Sequence, residues 1–83
     1  MIYSVYVLRS LKTGKYYVGM AIDVERRLEE HNKGKSKFTS GHVPWELIYQ
    51  ETIGIAIEAR KREKYLKSSA GKQFLKKQGI IQD

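Results

Sequence analysis

IYSVYVL (residues 2–8) and KYYVGM (residues 15–20) are the two stretches of sequence that decide the fold of this chain. Both are rich in β-branched and aromatic residues, which suit the pleated surface of a β-sheet. The segment between them is short and ends in Gly14, as is typical of a hairpin loop. We therefore predict that the fold begins with an antiparallel β-hairpin.

The predicted hairpin brings two tyrosines together. With a loop at residues 10–13, Tyr6 lies directly opposite Tyr17, and both side chains point to the same face because side chains alternate along a strand. Gly19 lies two residues further along that face. The hairpin is therefore expected to present two phenol groups beside bare main chain.

The rest of the chain is predicted to form helical and strand segments. Asp23 suits the N-cap of the first helix, and alternation in the third strand places Leu47 and Tyr49 on one face and Ile48 on the other. We expect the tail after Gly79 to fray. The predicted elements are a helix at 24–32, a strand at 45–52, a helix at 55–67 and a helix from 68 or 69 to 78. The order β-β-α-β-α-α predicts a single α+β domain over residues 1–83, with a three-stranded, mainly antiparallel sheet and flanking helices.

The charge of the chain points to a polyanionic partner. Its 83 residues include 16 Lys and Arg against 9 Asp and Glu, which gives a net charge of +7. Such a balance favours nucleic acid first and an anionic membrane surface second, while a basic protein with no such partner stays open. We expect a cytoplasmic protein without a membrane partner, because we find no signal peptide and no apolar run near the ~20 residues that span a bilayer. The lack of cysteine excludes disulfides and thiolate metal sites.

Helical spacing distinguishes two neighbouring arginines. Val24, Leu28 and His31 fall on one face of the first helix. Arg27 lies one turn before His31 and flanks that face, so it can reach a site there. Arg26 points to the far side of the helix, and we interpret it as a solvated surface charge.

A carboxylate interrupts the apolar stripe of the second helix. Glu63 lies four residues after Ala59 and three before Leu66, which mark the inward face. A carboxylate in such a position is costly unless it is paired or binds a metal. Two interpretations stay open: a metal ligand or catalyst, and a salt bridge to Lys67.

The loop at residues 33–44 is also open to two interpretations. Its lysines alternate with small residues and are followed by Phe38. The loop is either an ordinary solvated segment or a phosphate-contacting flap with one aromatic ring for stacking. His42 is interpreted as a turn residue rather than a ligand.

Taken together, the candidate polar groups of the interior supply what phosphodiester cleavage needs: a metal ligand, a cation for the phosphate and groups for proton transfer. We expect the helical members to face the same sheet surface as the tyrosines. The candidates are Tyr6, Tyr17, Arg27, His31 and Glu63.

These motifs resemble the GIY-YIG nucleases. Val5-Tyr6-Val7 stands where the family has Gly-Ile-Tyr, and Tyr17-Val18-Gly19 closely matches the second motif. Arg27 with His31, and Glu63 on the second helix, match the remaining family positions in order, so that the resemblance covers nearly the whole chain. Residues 64–67 and 39–44 are similar to short stand-alone bacterial members with UvrC-type domains. The chain departs from the family pattern at residues 5, 7, 20 and 21, and it has no asparagine after position 32.

The resemblance implies a fold, a cofactor and a set of roles. One divalent ion, Mg²⁺ or Mn²⁺, would bind Glu63, and Arg27 would clamp a phosphate oxygen. Tyr6 would act as general base if nearby positive charge lowers its pKa. Tyr17 would orient water or phosphate, and His31 would share proton handling. Nucleic-acid backbone contacts are expected from Lys33, Lys35, Lys37, Arg60 and Lys64.

Three functions stay open at this point. The first is a metal-dependent endonuclease that acts on DNA, although RNA stays an open alternative substrate. The activity of this endonuclease is full, weak or lost. The second is a module of the same fold that binds nucleic acid without cutting it. The third is an interaction protein whose basic face meets an acidic partner. A homodimer and a larger repair or recombination assembly are alternative contexts for the nuclease.

Overall fold

The chain forms three strands and three α-helices in a computed structural model that describes residues 1–82. The predicted α+β class and element order are confirmed. Among these residues, no helix has the length and apolar character that a membrane crossing needs. The elements are β1 (Tyr3–Ser10), β2 (Tyr16–Ala21), α1 (Val24–Asn32), β3 (Trp45–Gly54), α2 (Ala56–Lys67) and α3 (Ser69–Lys77), with a 3-10 turn at Ser40–His42.

The sheet has the strand order β2-β1-β3, and both pairings are antiparallel. The central strand β1 is buried on both faces, so its alternating side chains belong to two different apolar clusters. Val5 and Val7 pack against α2 and α3. Tyr6 and Leu8 pack on the opposite face, against α1. Helices therefore cover both faces, and β2 and β3 are the edges of the sheet.

The register of the hairpin differs from the predicted one by two residues. Leu8, not Tyr6, pairs with Tyr17, and Tyr6 lies opposite Gly19. The predicted loop began one residue too early: the N–H of Ser10 donates to the carbonyl of Lys15 at 2.8 Å, so Ser10 still pairs across the hairpin and the loop lies at 11–14. The Ser10 hydroxyl also accepts backbone N–H groups inside the loop. A shift of two preserves the alternation, so both tyrosines still lie on one face.

The third strand contains a bulge that the sequence pattern did not reveal. Val7 pairs with Tyr49 and Leu8 pairs with Leu47, so Ile48 is an extra residue in β3. An extra residue reverses the alternation beyond it. The prediction that Leu47 and Tyr49 share a face is therefore wrong: Leu47 packs in the cluster with Tyr6, while Tyr49 packs in the cluster with Val7.

An ion pair attaches α2 to the sheet. Nε and Nη2 of Arg62 donate to the two carboxylate oxygens of Glu51 in β3, both at 2.8 Å. This two-point geometry fixes orientation as well as distance. The guanidinium also lies over the rings of Tyr65 and Phe74. Because Glu63 follows Arg62 directly, the same contact helps to set the position of the candidate ligand.

The helix boundaries follow from caps that were visible in the sequence. Asp23 caps α1 by accepting the N–H of Arg26 at 3.1 Å, as predicted. Ser68 caps α3 by accepting the N–H of Gly71 at 3.2 Å. Gly71 is needed there because a Cβ would lie 1.9 Å from the carbonyl oxygen of Tyr65. The turn between α2 and α3 is thus tight enough to fold α3 onto the sheet.

The segment after Gly79 is docked, contrary to the expectation that it frays. Ile81 is buried in the cluster formed by α2 and α3. The N–H of Gln82 donates to the hydroxyl of Tyr16 at 3.0 Å. Ile80 also packs against this cluster, and its N–H donates to the carbonyl of Leu75 at 2.9 Å. These contacts come from a segment too short to show a sequence pattern. Asp83 lies outside the described residues.

We expect Gly19→Ala to destabilise the fold through Tyr6. A Cβ at position 19 would lie 2.6 Å from the Tyr6 hydroxyl oxygen, so the buried ring has to move. Overpacking of this kind costs about 1–3 kcal/mol of unfolding free energy, measurable by urea denaturation. Gly41→Ala is the control because a Cβ there meets nothing within 4 Å. Equal stability of the two variants would contradict the predicted clash.

Candidate active site

A buried hydrogen bond joins the central strand to the first helix. The hydroxyl of Tyr6 lies 3.0 Å from Nε2 of His31, and both side chains are buried. Tyr6 projects from the middle of β1, and His31 lies on the inward face of α1 together with Val24, as the helical spacing predicted. The contact therefore brings together two predicted site residues that are 25 positions apart.

The other nitrogen of His31 bonds to Thr39. Nδ1 lies 2.8 Å from the hydroxyl oxygen of Thr39, which is also fully buried. The carbonyl of Thr39 accepts the indole N–H of Trp45 at 2.9 Å. The loop after α1 is thus anchored at Thr39, and both ring nitrogens of His31 have partners.

This network indicates where the Tyr6 proton lies. The Thr39 hydroxyl donates to the carbonyl of Ser36 over 3.4 Å. It therefore receives its bond to His31 from the N–H at Nδ1. Nε2 is then the unprotonated nitrogen, and it accepts the phenol proton of Tyr6. The chain of donors runs from Tyr6 through His31 and Thr39 to the backbone.

Burial keeps both groups neutral in the free protein. It raises the pKa of Tyr6 far above the usual range, and the nearby Tyr17 acts in the same direction. The guanidinium of Arg27 opposes this rise but does not overcome it. Burial, followed by the charge of Arg27, lowers the pKa of His31. The chain's own cations therefore do not produce the lowered Tyr6 pKa that a general base requires.

Tyr17 forms the outer wall of this cluster. Its ring centroid lies 6.3 Å from that of Tyr6 and 4.9 Å from that of His31, which it meets edge-on. Tyr17 is half-buried, so the face away from His31 is accessible. Gly19 lies beside it on β2 and leaves space for the Tyr6 ring.

The two arginines of α1 differ as predicted. The Arg26 side chain is 78% exposed, whereas that of Arg27 is 36% exposed. Nη1 of Arg27 donates to Glu30 at 2.9 Å. The charge of Arg27 acts on both Tyr6 and His31. A guanidinium that is half-exposed and close to a buried phenol is well placed for an incoming anion.

Glu63 approaches the site from the other side of the sheet. Its side chain is only 17% exposed, and Oε2 lies 3.2 Å from Nζ of Lys67. The expectation that Glu63 shares the sheet face of Tyr6 is wrong, because α2 packs on the opposite face with Val5 and Val7. Its negative charge nevertheless raises the pKa of Tyr6. This effect is smaller than those of burial, Tyr17 and Arg27.

The residues present fit one type of metal site. Among residues 1–82, no three His, Cys, Asp or Glu side chains converge to form a complete cage. Mg²⁺ commonly binds through one or two carboxylates, with waters and substrate phosphates as its other ligands. Glu63 can supply one such carboxylate once it releases the Lys67 ammonium that now neutralises it.

The predicted backbone contacts lie on the surface. Three of these residues are lysines in the loop after α1, and the other two lie on α2. All five residues are exposed. His42 is a turn residue, as interpreted: its Nδ1 lies 3.0 Å from the hydroxyl of Thr13 in the hairpin loop. The residues predicted to contact a nucleic-acid backbone are Lys33, Lys35, Lys37, Arg60 and Lys64.

The fold and this cluster define the class of protein. A family model described as the GIY-YIG catalytic domain matches residues 2–77. The chain belongs to this family. The resemblance identified from the motifs is therefore confirmed, and the match includes every candidate residue of the site.

The relatives are more narrowly defined. The UPF0213 protein SERP0126 of Staphylococcus epidermidis is 42% identical over 73 residues, covering 87% of this chain and 88% of that protein. The UPF0213 protein VNG_2274C of Halobacterium salinarum is 40% identical over 74 residues, covering 86% and 95%. The solution NMR structure of the UPF0213 protein BH0048 from Bacillus halodurans matches with a TM-score of 0.56 and 33% identity, covering 94% of this chain and 85% of that one.

Sequence reasoning missed one residue of the cluster. Thr39 lies in a loop without periodicity, so no local pattern distinguished it from its exposed neighbours. Its burial and its bond to His31 arise from the contact of that loop with Trp45. The only available signal was an apolar residue, Phe38, beside a hydroxyl in an otherwise basic loop.

We expect the buried, neutral His31 to make folding stability depend on pH. Because burial lowers its pKa in the native state, the unfolded chain binds a proton below about pH 6.5 that the folded chain does not. The unfolding free energy contributed by this group then falls as pH falls from 7 to 5, at up to about 1.4 kcal/mol per pH unit. Urea denaturation at pH 5, 6 and 7 measures this slope.

The control for this prediction is the other histidine of the chain. His31→Gln should flatten the pH dependence, while His42→Gln, which changes a residue at the surface turn, should retain it. The same slope in His31→Gln and in the unmodified protein would contradict the prediction.

Proposed function

We propose that this chain is a metal-dependent endonuclease of the GIY-YIG type that hydrolyses phosphodiester bonds of DNA. The observation that carries the proposal is the convergence of side chains from β2 and α1 on the buried phenol of Tyr6. Tyr6, His31, Arg27 and Tyr17 lie together on the α1 side of the sheet. The charge of Glu63 reaches the same phenol from the α2 side.

The charge of the chain supports a nucleic-acid substrate. A net charge of +7 attracts a polyanion and supplies sequence-independent affinity. Arg27 would hold a nonbridging phosphate oxygen, because its guanidinium is half-exposed and lies near the Tyr6 hydroxyl. Glu30 keeps that side chain oriented through its 2.9 Å hydrogen bond. Tyr17, on the outer wall, would orient the phosphate or the attacking water.

Glu63 is the residue that would hold the divalent ion, Mg²⁺ or Mn²⁺. Lys67 must release its 3.2 Å contact with the carboxylate when this happens. The bound ion would polarise the phosphate and stabilise the leaving oxygen. Lys67 is then free to turn toward the substrate backbone.

Tyr6 would act as the general base, and His31 defines how. In the free protein the phenol keeps its proton, because burial raises its pKa. Positive charge that arrives with the substrate complex would have to offset this burial before the phenol can give up its proton. The unprotonated Nε2 of His31, 3.0 Å away, would receive that proton, and the phenolate would then accept a proton from the attacking water.

A second candidate function is a nucleic-acid-binding module that does not cleave. Two observations favour it. Burial holds Tyr6 in its protonated form, and Lys67 already neutralises Glu63. Binding by the basic surface requires neither group to change its state, so this function would show salt-dependent affinity without turnover.

The decisive measurement is cleavage of labelled DNA in the presence of Mg²⁺ or Mn²⁺. Glu63→Gln removes the charge of the proposed ligand and should lower the cleavage rate about a hundredfold or more. DNA binding should persist. Loss of binding together with cleavage would mean that Glu63 acts elsewhere than at the metal.

Glu58→Gln is the matched control for this measurement. Glu58 lies on the same helix and also pairs with a lysine, Lys61, at 3.9 Å, but its side chain is 58% exposed. The cleavage rate of the Glu58→Gln variant should stay within about twofold of that of the unmodified protein. Absence of cleavage in the unmodified protein, with binding intact, would select the non-cleaving module.

The two arginines of α1 provide a second test. Arg27→Ala should lower cleavage by about 10²–10³-fold, the usual cost of losing a group that stabilises transition-state charge. Arg26→Ala should change it little, because that side chain is mostly exposed. Both arginines pair with Glu30, so both variants lose a similar surface contact. Equal losses of activity would place the phosphate away from α1.

A further inference from the structure

A groove opens beside the candidate active site at the edge strand β2. Its volume is about 720 Å³, within the ~300–1,000 Å³ range of ligand-binding clefts. Core side chains of the sheet, the two C-terminal helices and the docked tail form its apolar floor, and none of them is more than 9% exposed. They are Val7, Val18, Leu66, Leu75 and Ile81.

Lysines surround this apolar floor. Lys15 of the hairpin, Lys67 of α2 and Lys72 of α3 all line the groove. Lys15 and Lys72 were not predicted as nucleic-acid contacts, because they meet Lys67 only in the folded chain. An ammonium rim of this kind is complementary to a negatively charged backbone.

Two aromatic rings line the groove where it meets the active site. Tyr17 is common to both, since it packs edge-on against His31 and also lines the groove. Phe38 lies beside it, with ring centroids 6.0 Å apart. Phe38 is 67% exposed. An exposed aromatic ring above a basic groove is the usual stacking platform for a base of a single strand.

These features favour an unpaired strand over a duplex. In a duplex the base faces are stacked on one another, and only phosphates, sugars and base edges are accessible. The exposed ring of Phe38 gains stacking contact only from a base face that has left the stack. A surface suited to an intact duplex would need the lysines but not this ring.

We propose that this groove binds an unpaired stretch of DNA, with at least one base stacked on Phe38 and the lysine rim on the phosphates. The inference rests on the proposed function, since it identifies the substrate of that site as DNA with a single-stranded segment. The strand would reach the active site along Tyr17. Lys67 connects the two regions, because it lines the groove and contacts Glu63.

The test is a binding measurement that needs no catalysis. The unmodified protein is titrated in EDTA against a fluorescently labelled single strand of about ten nucleotides. A duplex of the same sequence and an abasic strand with the same phosphates serve as comparison probes. We expect the single strand to bind about tenfold or more tightly than either probe, because only it offers free base faces.

Three single variants locate the binding. Phe38→Ala should weaken binding of the single strand about tenfold and leave the abasic strand unchanged. Lys72→Ala should weaken both strands and reduce the slope of log K against log salt by about 0.7. Lys61→Ala is the control, an exposed helical lysine that does not line the groove. It should have a smaller effect than Lys72→Ala.

Three results would each overturn the inference: equal affinity for the single strand and the abasic strand, a Phe38→Ala effect no larger than that of Lys61→Ala, or tighter binding of the duplex than of the single strand. Failure of the groove and failure of the nuclease are distinguishable. Base-dependent binding without cleavage would contradict only the proposed nuclease activity. Cleavage without base-dependent binding would contradict only the proposed role of the groove.

Discussion

The hydrogen-bond chain from Tyr6 through His31 to Thr39 is the interaction on which the rest of the structure depends. It joins the central strand, the first helix and the following loop through side chains that are all buried. A buried polar group that loses its partner costs about 1–3 kcal/mol, so each member keeps the other two in place. The same chain holds the candidate base, its proton acceptor and the loop that carries Phe38.

The edge position of β2 explains how groups on opposite faces of a sheet can serve one site. Tyr6 and His31 lie on the face covered by α1, whereas Glu63 lies on a helix that covers the other face. If another strand flanked β2, the sheet would separate the two faces at this point. Among residues 1–82, however, β2 is an edge strand. Tyr17 on β2 therefore borders both the active site and the groove. The proposed strand-binding groove and the candidate active site are adjacent because both use this edge.

Burial and charge act against each other at Tyr6. Burial keeps the phenol protonated, Tyr17 and, to the smallest extent, the negative charge of Glu63 add to that effect, and Arg27 opposes it. A cation that neutralises Glu63 more fully than Lys67 does would remove the smallest of these contributions. In the free protein the phenol therefore keeps its proton. This arrangement links the proposed general base to the arrival of metal and substrate.

The sequence by itself determined the local structure and most of the candidate residues. Caps, alternation and helical spacing depend on near neighbours, so they predicted the element order, the N-cap at Asp23 and the inward phase of Arg27 and His31. Contacts between distant segments were decided only by the tertiary structure. The hairpin register, the bulge at Ile48 and the side from which Glu63 approaches arise in this way, as do the burial of Thr39 and the lysine-rimmed groove. Each depends on packing between elements, which no periodicity within one element encodes.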